Sequence, residues 1–232
     1  MSQDTVINQK PFYLLMGVEL WERFSYYSMQ FLLVLYSSAA ITSGGLGWTK
    51  AEALELVGIY GASVFILPVV GGVLADRYIG QKTSALIGAF LMALGHFTLA
   101  FKSEFTFYTA LVLLAIGSGF FKACIPAMIA QIFKKDEVRK ANAYSTYYMA
   151  INIGAMLAGI TTGLIAQYWG YHPAFAVAGL GMLVGFLTLI AGQKYGVLKG
   201  IGDKPLTGPN QKTSEKVSIR QALAASPEAR KK

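Results

Sequence analysis

Residues 19–27 read ELWERFSYY and place three charged side chains inside a segment, residues 12–38, that is otherwise mostly apolar. Such charges are unusual, because each one costs about 2.5–3.5 kcal/mol or more at the centre of a bilayer. The chain of 232 residues is 54% hydrophobic and only 14% charged, with a mean hydropathy of +0.48. A soluble domain is roughly a quarter charged. The composition therefore indicates a membrane protein, and the charged segment indicates a function inside the membrane.

Six apolar windows have the length that a membrane-spanning helix needs, about 20 residues. Short polar or turn-like segments separate the windows, which cover residues 12–38, 53–75, 83–101, 105–133, 141–167 and 173–193. The first window is too long, and its flanks are too polar, for a cleaved signal peptide. The pattern predicts an all-α membrane protein with a bundle of six transmembrane helices.

The basic residues predict how these helices are oriented. Sixteen of the twenty Lys and Arg residues lie in the second and fourth loops and the two terminal segments, whereas the other loops contain only Lys50 and Lys102. Basic loops stay on the cytoplasmic side. We therefore expect a multi-pass protein of a plasma (inner) membrane of the bacterial type, with both termini in the cytoplasm.

Three regions are expected along the chain. They are a cytoplasmic N-terminus over residues 1–11, the six-helix bundle over 12–194 and a basic cytoplasmic linker or tail over 195–232. Within the tail, residues 199–232 contain eight basic and three acidic residues, a net charge of +5. Residues 218–225 have the length of a short surface helix against anionic lipid, but a linker with little fixed structure is the favoured interpretation.

The charge and cysteine content exclude several classes of protein. The net charge of +8 does not indicate nucleic-acid binding, because the basic residues lie between apolar runs and not along a wetted surface. The single cysteine, Cys124, excludes an intrachain disulfide. We find no Ser/His/Asp set, metal-ligand cluster or nucleotide loop in the sequence, and we assign no role to His96 or His172. An enzyme is therefore the least favoured class.

Polar stripes run along the first and the fifth predicted helices. In the first helix the stripe follows the spacing of one helix face and consists of Glu19, Glu22, Arg23, Tyr26, Tyr27 and Gln30. Charged residues in a span usually face a bundle interior or a water-filled cavity, so we expect this face to be wet. The fifth helix repeats the spacing with Tyr144, Tyr147, Tyr148, Ile151 and Asn152. For this second stripe, hydrogen bonding between packed helices is the alternative explanation.

Lys122 is a further charged residue inside an apolar window, the fourth. Gly117 and Gly119 precede it and allow another helix to approach closely, and Pro126 follows it and can kink the helix. The spacing between these glycines and the lysine does not match a phosphate-binding loop. The alternative to a functional role is that the lysine extends to the membrane surface.

The turn between the second and third helices contains Asp76 and Arg77. The plain interpretation is that its basic residues fix the topology. The more specific interpretation is a conformational latch. In it these two charges contact the end of another helix, and that contact breaks when the bundle rocks.

Four features resemble those of the proton-dependent oligopeptide transporter family, within the major facilitator superfamily. Residues 19–27 resemble its E-x-x-E-R-F-x-Y-Y motif, and Lys122 stands where the family has a fourth-helix lysine. Residues 71–80 (GGVLADRYIG) resemble its first signature, and residues 144–154 (YSTYYMAINIG) resemble its second. The features follow the family's order, and the resemblance extends from about residue 11 to 195.

The resemblance implies a fold of two six-helix bundles, each built from inverted three-helix repeats, around a midplane cavity. This chain would supply the amino-terminal bundle. The implied activity is symport of di- and tripeptides into the cytoplasm, with protons as the coupling ion and no cofactor. The implied partners are small peptides, the lipid bilayer and a C-terminal six-helix bundle, with no nucleic acid.

The resemblance also implies roles for single residues. Glu19, Glu22, Arg23 and Lys122 would form the proton-coupling cluster. Arg23 and Lys122 would attract the carboxylate of the peptide, and its backbone and terminus would be held by Tyr27, Tyr148 and Asn152. Two further pocket residues depart from the family pattern, since Gln30 replaces a frequent Arg and Phe65 a common Tyr. These departures predict a more apolar pocket.

Two other functions stay open at this point. The first is a related proton symporter for another solute, such as nitrate or a peptide-like metabolite. The second is a half-bundle that docks onto another membrane protein or senses peptides. Since the family's cavity is lined by both bundles, we also expect that this chain alone does not transport.

Overall fold

The computed structural model describes residues 9–134 and 136–204, and every regular element in these residues is helical. Residues 218–225, for which a surface helix is the alternative to a linker with little fixed structure, lie outside the described part. Seven α-helices occur in the described residues: α1 (Lys10–Ser38), α2 (Lys50–Leu74), α3 (Gln81–Thr98), α4 (Glu104–Phe121), α5 (Cys124–Ile132), α6 (Glu137–Trp169) and α7 (Tyr171–Lys194).

These helices form the six predicted membrane segments, because α4 and α5 are two parts of one interrupted helix. Four segments are both long and apolar enough to cross a membrane: Lys50–Ile79, Glu104–Ile132, Glu137–Trp169 and Tyr171–Lys194. Of the other two, α1 has 29 residues but carries its charges near the middle, and α3 has only 18 residues with polar ends. The six-helix fold is confirmed, and the helix that carries the charged motif is one of the two that do not reach the length and apolarity of a membrane span.

The interruption between α4 and α5 lies at Lys122 and Ala123. Its cause is Pro126, since a proline inside a helix removes one N–H donor and its ring collides with the carbonyl four residues earlier, here that of Lys122. The nearby carbonyl of Phe120 accepts hydrogen bonds from Ser84 Oγ, at 2.7 Å, and from Cys124 Sγ, at 3.1 Å. The break therefore places Lys122 at the interruption between α4 and α5.

Local signals fix the ends of several helices. Thr49 and Glu52 form a capping box at the start of α2, in which each side chain accepts a hydrogen bond from the other residue's backbone N–H. Asp136 caps α6 by accepting from the N–H of Arg139, at 2.9 Å. Gly170, with φ of 90°, makes the tight turn from α6 to α7.

The packing of the bundle depends on glycines where helices touch. α3 meets α4 at Gly88 and Gly117, where a Cβ added to Gly117 would lie 2.8 Å from the carbonyl oxygen of Gly88. α2 meets α4 at Gly71 and Gly119 in the same manner. α1 packs mainly against α6 and α7. Small residues at these contacts are typical of membrane helices, which associate through close van der Waals packing.

The chain after α7 folds back onto the end of the bundle that carries the α2–α3 turn. Gly202 N–H donates to Gln131 Oε1 at 2.8 Å, and its carbonyl accepts from Lys82 N–H at 2.9 Å. The ammonium of Lys82 donates to the carbonyl of the buried Leu198 at 3.1 Å and forms an ion pair with Asp203. We call Lys82, Gln131, Leu198, Gly202 and Asp203 the C-terminal clamp. The predicted linker thus begins with a packed segment.

Candidate functional site

Three charged side chains of α1 form a buried cluster, the Arg23 cluster, which consists of Glu19, Glu22 and Arg23. Arg23 Nε lies 3.0 Å from Glu19 Oε1 and forms a second ion pair with Glu22. Glu19 is 1% exposed, Glu22 0% and Arg23 6%, so water does not screen these pairs. Two carboxylates share one guanidinium, and the cluster therefore holds one more negative than positive charge unless a carboxylate binds a proton.

α6 covers the Arg23 cluster from the neighbouring side. Tyr147 OH donates a hydrogen bond to Glu19 Oε1 at 2.9 Å. Two turns further along α6, Gly154 packs directly on α1, where a Cβ would lie 2.6 Å from the carbonyl oxygen of Leu20 and 2.9 Å from Arg23 Cβ. A glycine at this position thus allows α6 to approach close enough for Tyr147 to reach Glu19.

A cavity of about 700 Å³ lies beside the cluster, between α1, α2, α6 and the interruption between α4 and α5. Its lining includes all seven residues expected to bind substrate, namely Arg23, Tyr27, Gln30, Phe65, Lys122, Tyr148 and Asn152. Apolar and aromatic side chains complete the lining. Phe65 is 66% exposed and Tyr148 63%, so these residues form an open wall and not a closed chamber.

The two carboxylates do not line this cavity, in contrast to Arg23. The expectation of a wet face on α1 therefore holds from Arg23 onward but not for Glu19 and Glu22. The physical reason is that both carboxylates are buried in the bundle, with Tyr147 of α6 on Glu19, whereas Arg23 is the member of the cluster that lines the cavity. Arg23 is thus the group that touches both the buried charges and the open space.

Lys122 lines the cavity, next to two aromatic rings. Its Nζ lies 4.0 Å from the ring centroid of Phe65 and 5.2 Å from that of Tyr26. Among the described residues, no carboxylate lies within the ion-pair distance of 4.0 Å from this ammonium. The structure thus brings Lys122 to the same cavity as Arg23 but does not bring it into contact with Glu19 or Glu22.

Three residues of this site were not among the predicted site residues. Tyr26 holds its ring 5.2 Å from both Arg23 Cζ and Lys122 Nζ, and its OH accepts from Gln30 Nε2 at 2.9 Å. Tyr147 and Gly154 are the other two. Both tyrosines belong to the polar stripes seen in the sequence, and that membership was the available signal. Gly154 ends the stretch that resembles the second signature, but its role in packing could not be predicted, because it depends on which helix packs against it.

A sequence profile of the POT family, the proton-dependent oligopeptide transporters, matches residues 82–224, more than half of the chain. The chain belongs to the POT family. The resemblance seen in the sequence is thereby confirmed, and the chain is a multi-pass membrane protein of a transporter family and not of an enzyme family.

Named relatives support the same assignment. The peptide transporter YePEPT of Yersinia enterocolitica is 37% identical over 172 residues, which are 73% of this POT chain and 34% of the relative. A di-/tripeptide transporter of Lactococcus lactis is also 37% identical over 172 residues, 73% of this chain and 35% of the relative. A crystal structure of a peptide transporter POT in complex with sulfate superposes with a TM-score of 0.80 at 32% identity, over 93% of this chain and 44% of that one. This POT chain thus spans between a third and a half of the relatives that it matches.

The expected latch residues of the POT chain lie away from the cavity, at the end of α2. Asp76 and Arg77 belong to a π-helical turn, Ala75–Ile79, and both are exposed. Asp76 Oδ1 accepts from Gln81 Nε2 at 2.8 Å, and Gln81 Oε1 accepts from Gln131 Nε2 at 2.7 Å. These bonds connect the turn to the C-terminal clamp. A latch between Asp76 or Arg77 and another helix end stays a prediction.

Proposed function

We propose that this POT chain is the amino-terminal half of a proton-coupled symporter that carries di- and tripeptides into the cytoplasm. One observation carries the proposal: Arg23 binds two buried carboxylates and at the same time lines an open cavity. The cavity volume is in the range of small-molecule sites. A single guanidinium is thus within reach of both a proton-binding group and a bound solute.

The Arg23 cluster provides the coupling to protons. When Glu19 and Glu22 are both ionised, the buried cluster is one negative charge in excess, and a proton on either carboxylate removes this excess. Neutralisation is favoured because an uncompensated buried charge is costly. The proton also frees part of the guanidinium for a peptide carboxylate in the cavity. Proton and peptide therefore favour each other's binding, which is a thermodynamic coupling between two sites.

The remaining residues of the cavity suit a peptide. Lys122 offers a second cation for the carboxylate. Gln30, Tyr148 and Asn152 offer hydrogen-bond donors and acceptors for the backbone and the amino terminus. Phe65 and the other apolar residues of the lining are suited to the side chains. This chemistry recognises features that all short peptides share.

The proposal includes a second bundle that closes the cavity. The relatives are more than twice as long as the matched part of their chains. α2 and α6 leave most of their apolar surface exposed, and the cavity opens between them. The proposal keeps the expected organisation, with a cytoplasmic N-terminus over residues 1–11, a bundle over 12–194 and a basic cytoplasmic linker over 195–232. Small peptides, lipid and the second bundle are then the partners.

The test of proton coupling uses the full-length transporter that contains this chain, in proteoliposomes. Glu19→Gln should abolish uptake of a dipeptide driven by a proton gradient, because the cluster loses its excess charge. Exchange of labelled for unlabelled dipeptide across the membrane should persist. Glu104→Gln, a change to an exposed carboxylate at the start of α4, is the matched control and should leave both activities intact. Concentrative uptake by Glu19→Gln would contradict the coupling role.

Two further measurements separate the alternatives. A competition panel with dipeptides, nitrate and peptide-like metabolites identifies the transported solute. If only a non-peptide competes for uptake, that solute is the substrate and peptides are not. Peptide uptake by the 232 residues alone would contradict the requirement for a second bundle. Copurification of the chain with an unrelated membrane protein would support the interaction function.

A further inference from the structure

We infer that Phe65 is a positioning residue that holds the Lys122 ammonium for the substrate carboxylate and so sets a preference for peptides with a free C-terminus. The inference rests on the proposed peptide transport and adds a determinant of specificity to it. Phe65 belongs to α2, whereas Lys122 lies in another membrane segment, at the interruption between α4 and α5. Their contact is a product of the fold.

The geometry of the contact is that of a cation over an aromatic ring. Lys122 Nζ lies 4.0 Å from the centroid of the Phe65 ring, inside the limit of about 6 Å for such an interaction. The Tyr26 ring is the second aromatic neighbour, at 5.2 Å. The rings attract the ammonium through their quadrupoles, which carry no net charge. The rings therefore hold the ammonium without supplying a counter-charge.

The two cations of the cavity, Arg23 and Lys122, differ in their ion-pair partners. Arg23 is engaged by two carboxylates of its own helix. Within the described residues, Lys122 has no carboxylate within 4.0 Å. An arriving carboxylate must displace an existing partner at Arg23 but not at Lys122. Lys122 is thus the group that receives the carboxylate first, and its position is the one that matters for affinity.

Phe65 reduces the freedom of the lysine side chain. A lysine has a flexible four-carbon stem, and holding it in one place costs conformational entropy. The ring face compensates for that cost before the substrate arrives, which is preorganisation of the site. A leucine of similar reach leaves Lys122 without this ring, whereas a tyrosine retains it.

The experiment compares two substrates that differ only at the C-terminus, dialanine and dialanine amide. Uptake is measured in proteoliposomes that contain the full-length transporter, at one fixed proton gradient. Phe65→Leu should raise the KM for dialanine by about fivefold and leave the KM for the amide nearly unchanged. The maximal rate for dialanine should change much less than its KM. Phe65→Tyr should restore the wild-type ratio of the two KM values.

Phe31→Leu is the matched control, because Phe31 is another aromatic residue of the same cavity that is not in contact with Lys122 in the described structure. It should shift the KM values of the two substrates alike. Thermal unfolding of each purified variant verifies that it is folded. If Phe65→Leu changes both KM values equally, or neither, Phe65 is a lining residue only and the inference is wrong. If the wild-type protein takes up neither substrate, the proposed function fails instead.

Discussion

The Arg23 cluster and the C-terminal clamp both contain ion pairs, and they differ in their surroundings. In the Arg23 cluster both carboxylates are buried, and α6 is joined to α1 through Tyr147. In the C-terminal clamp the carboxylate of Asp203 is 56% exposed, although its partner Lys82 is mostly covered. Removing one partner of a buried pair costs about 3–5 kcal/mol, whereas an exposed pair contributes about 0–1 kcal/mol. The comparison teaches that burial decides the energetic value of an ion pair.

The largest effect is expected from Arg23→Leu, which leaves two carboxylates buried without a cation. The free energy of unfolding should fall by about 3–5 kcal/mol, measured by thermal unfolding of the full-length protein in detergent. Adding Glu19→Gln and Glu22→Gln to this variant should recover much of the loss, because no charge is then left unpaired. If Arg23→Leu is as stable as the wild type, the cluster is not the buried ion pair described above.

A smaller effect is expected from Gly154→Ala, which tests the close contact of α6 with the Arg23 cluster. The new methyl group collides with α1, and overpacking of this kind costs about 1–3 kcal/mol. Gly163→Ala is the matched control. Gly163 lies on the same helix, and a Cβ added there would have no atom within 4 Å. Thermal unfolding of the two variants should differ, and equal values would show that α6 has room to move at Gly154.

Tyr147→Phe should cost about 1 kcal/mol in the free energy of unfolding, because it removes the hydrogen bond to Glu19. It leaves the ion pairs of the cluster in place, and so it separates the hydrogen bond from the charges. Tyr168→Phe, on an exposed tyrosine of the same helix, should have no measurable effect. A loss as large as that of Arg23→Leu would place the main stabilisation in the hydrogen bond.

The smallest effect is expected at the clamp. Asp203→Asn should lower the free energy of unfolding by less than about 1 kcal/mol, and the difference from wild type should shrink further in high salt. Lys194→Gln, on an exposed lysine, serves as the control. A loss of several kcal/mol for Asp203→Asn would contradict the difference between the two clusters.

The sequence predicted those features that depend on spacing along one helix. The six membrane segments followed from the apolar windows, and the cavity residues Tyr27 and Gln30 followed from their shared face with Arg23. The clamp could not be predicted, because it joins Lys82 to Gly202 and no periodicity links two such distant residues. The contact of Lys122 with Phe65 could not be predicted either, since it depends on how α2 packs against the fourth segment. Contacts between helices need the packing, which the sequence pattern does not contain.

The glycine contacts of α4 have a mechanical consequence. At Gly117 and Gly119 its backbone lies against α3 and α2, so a side chain at either position would collide with a neighbouring helix. The cluster on α1 has a similar close contact at Gly154 of α6. Lys122 follows shortly after the two α4 glycines, and Arg23 lies at the α6 contact. The spacing between the two cations is therefore set by how closely the helix backbones approach, and substituting one of these glycines would change that spacing without altering either cation.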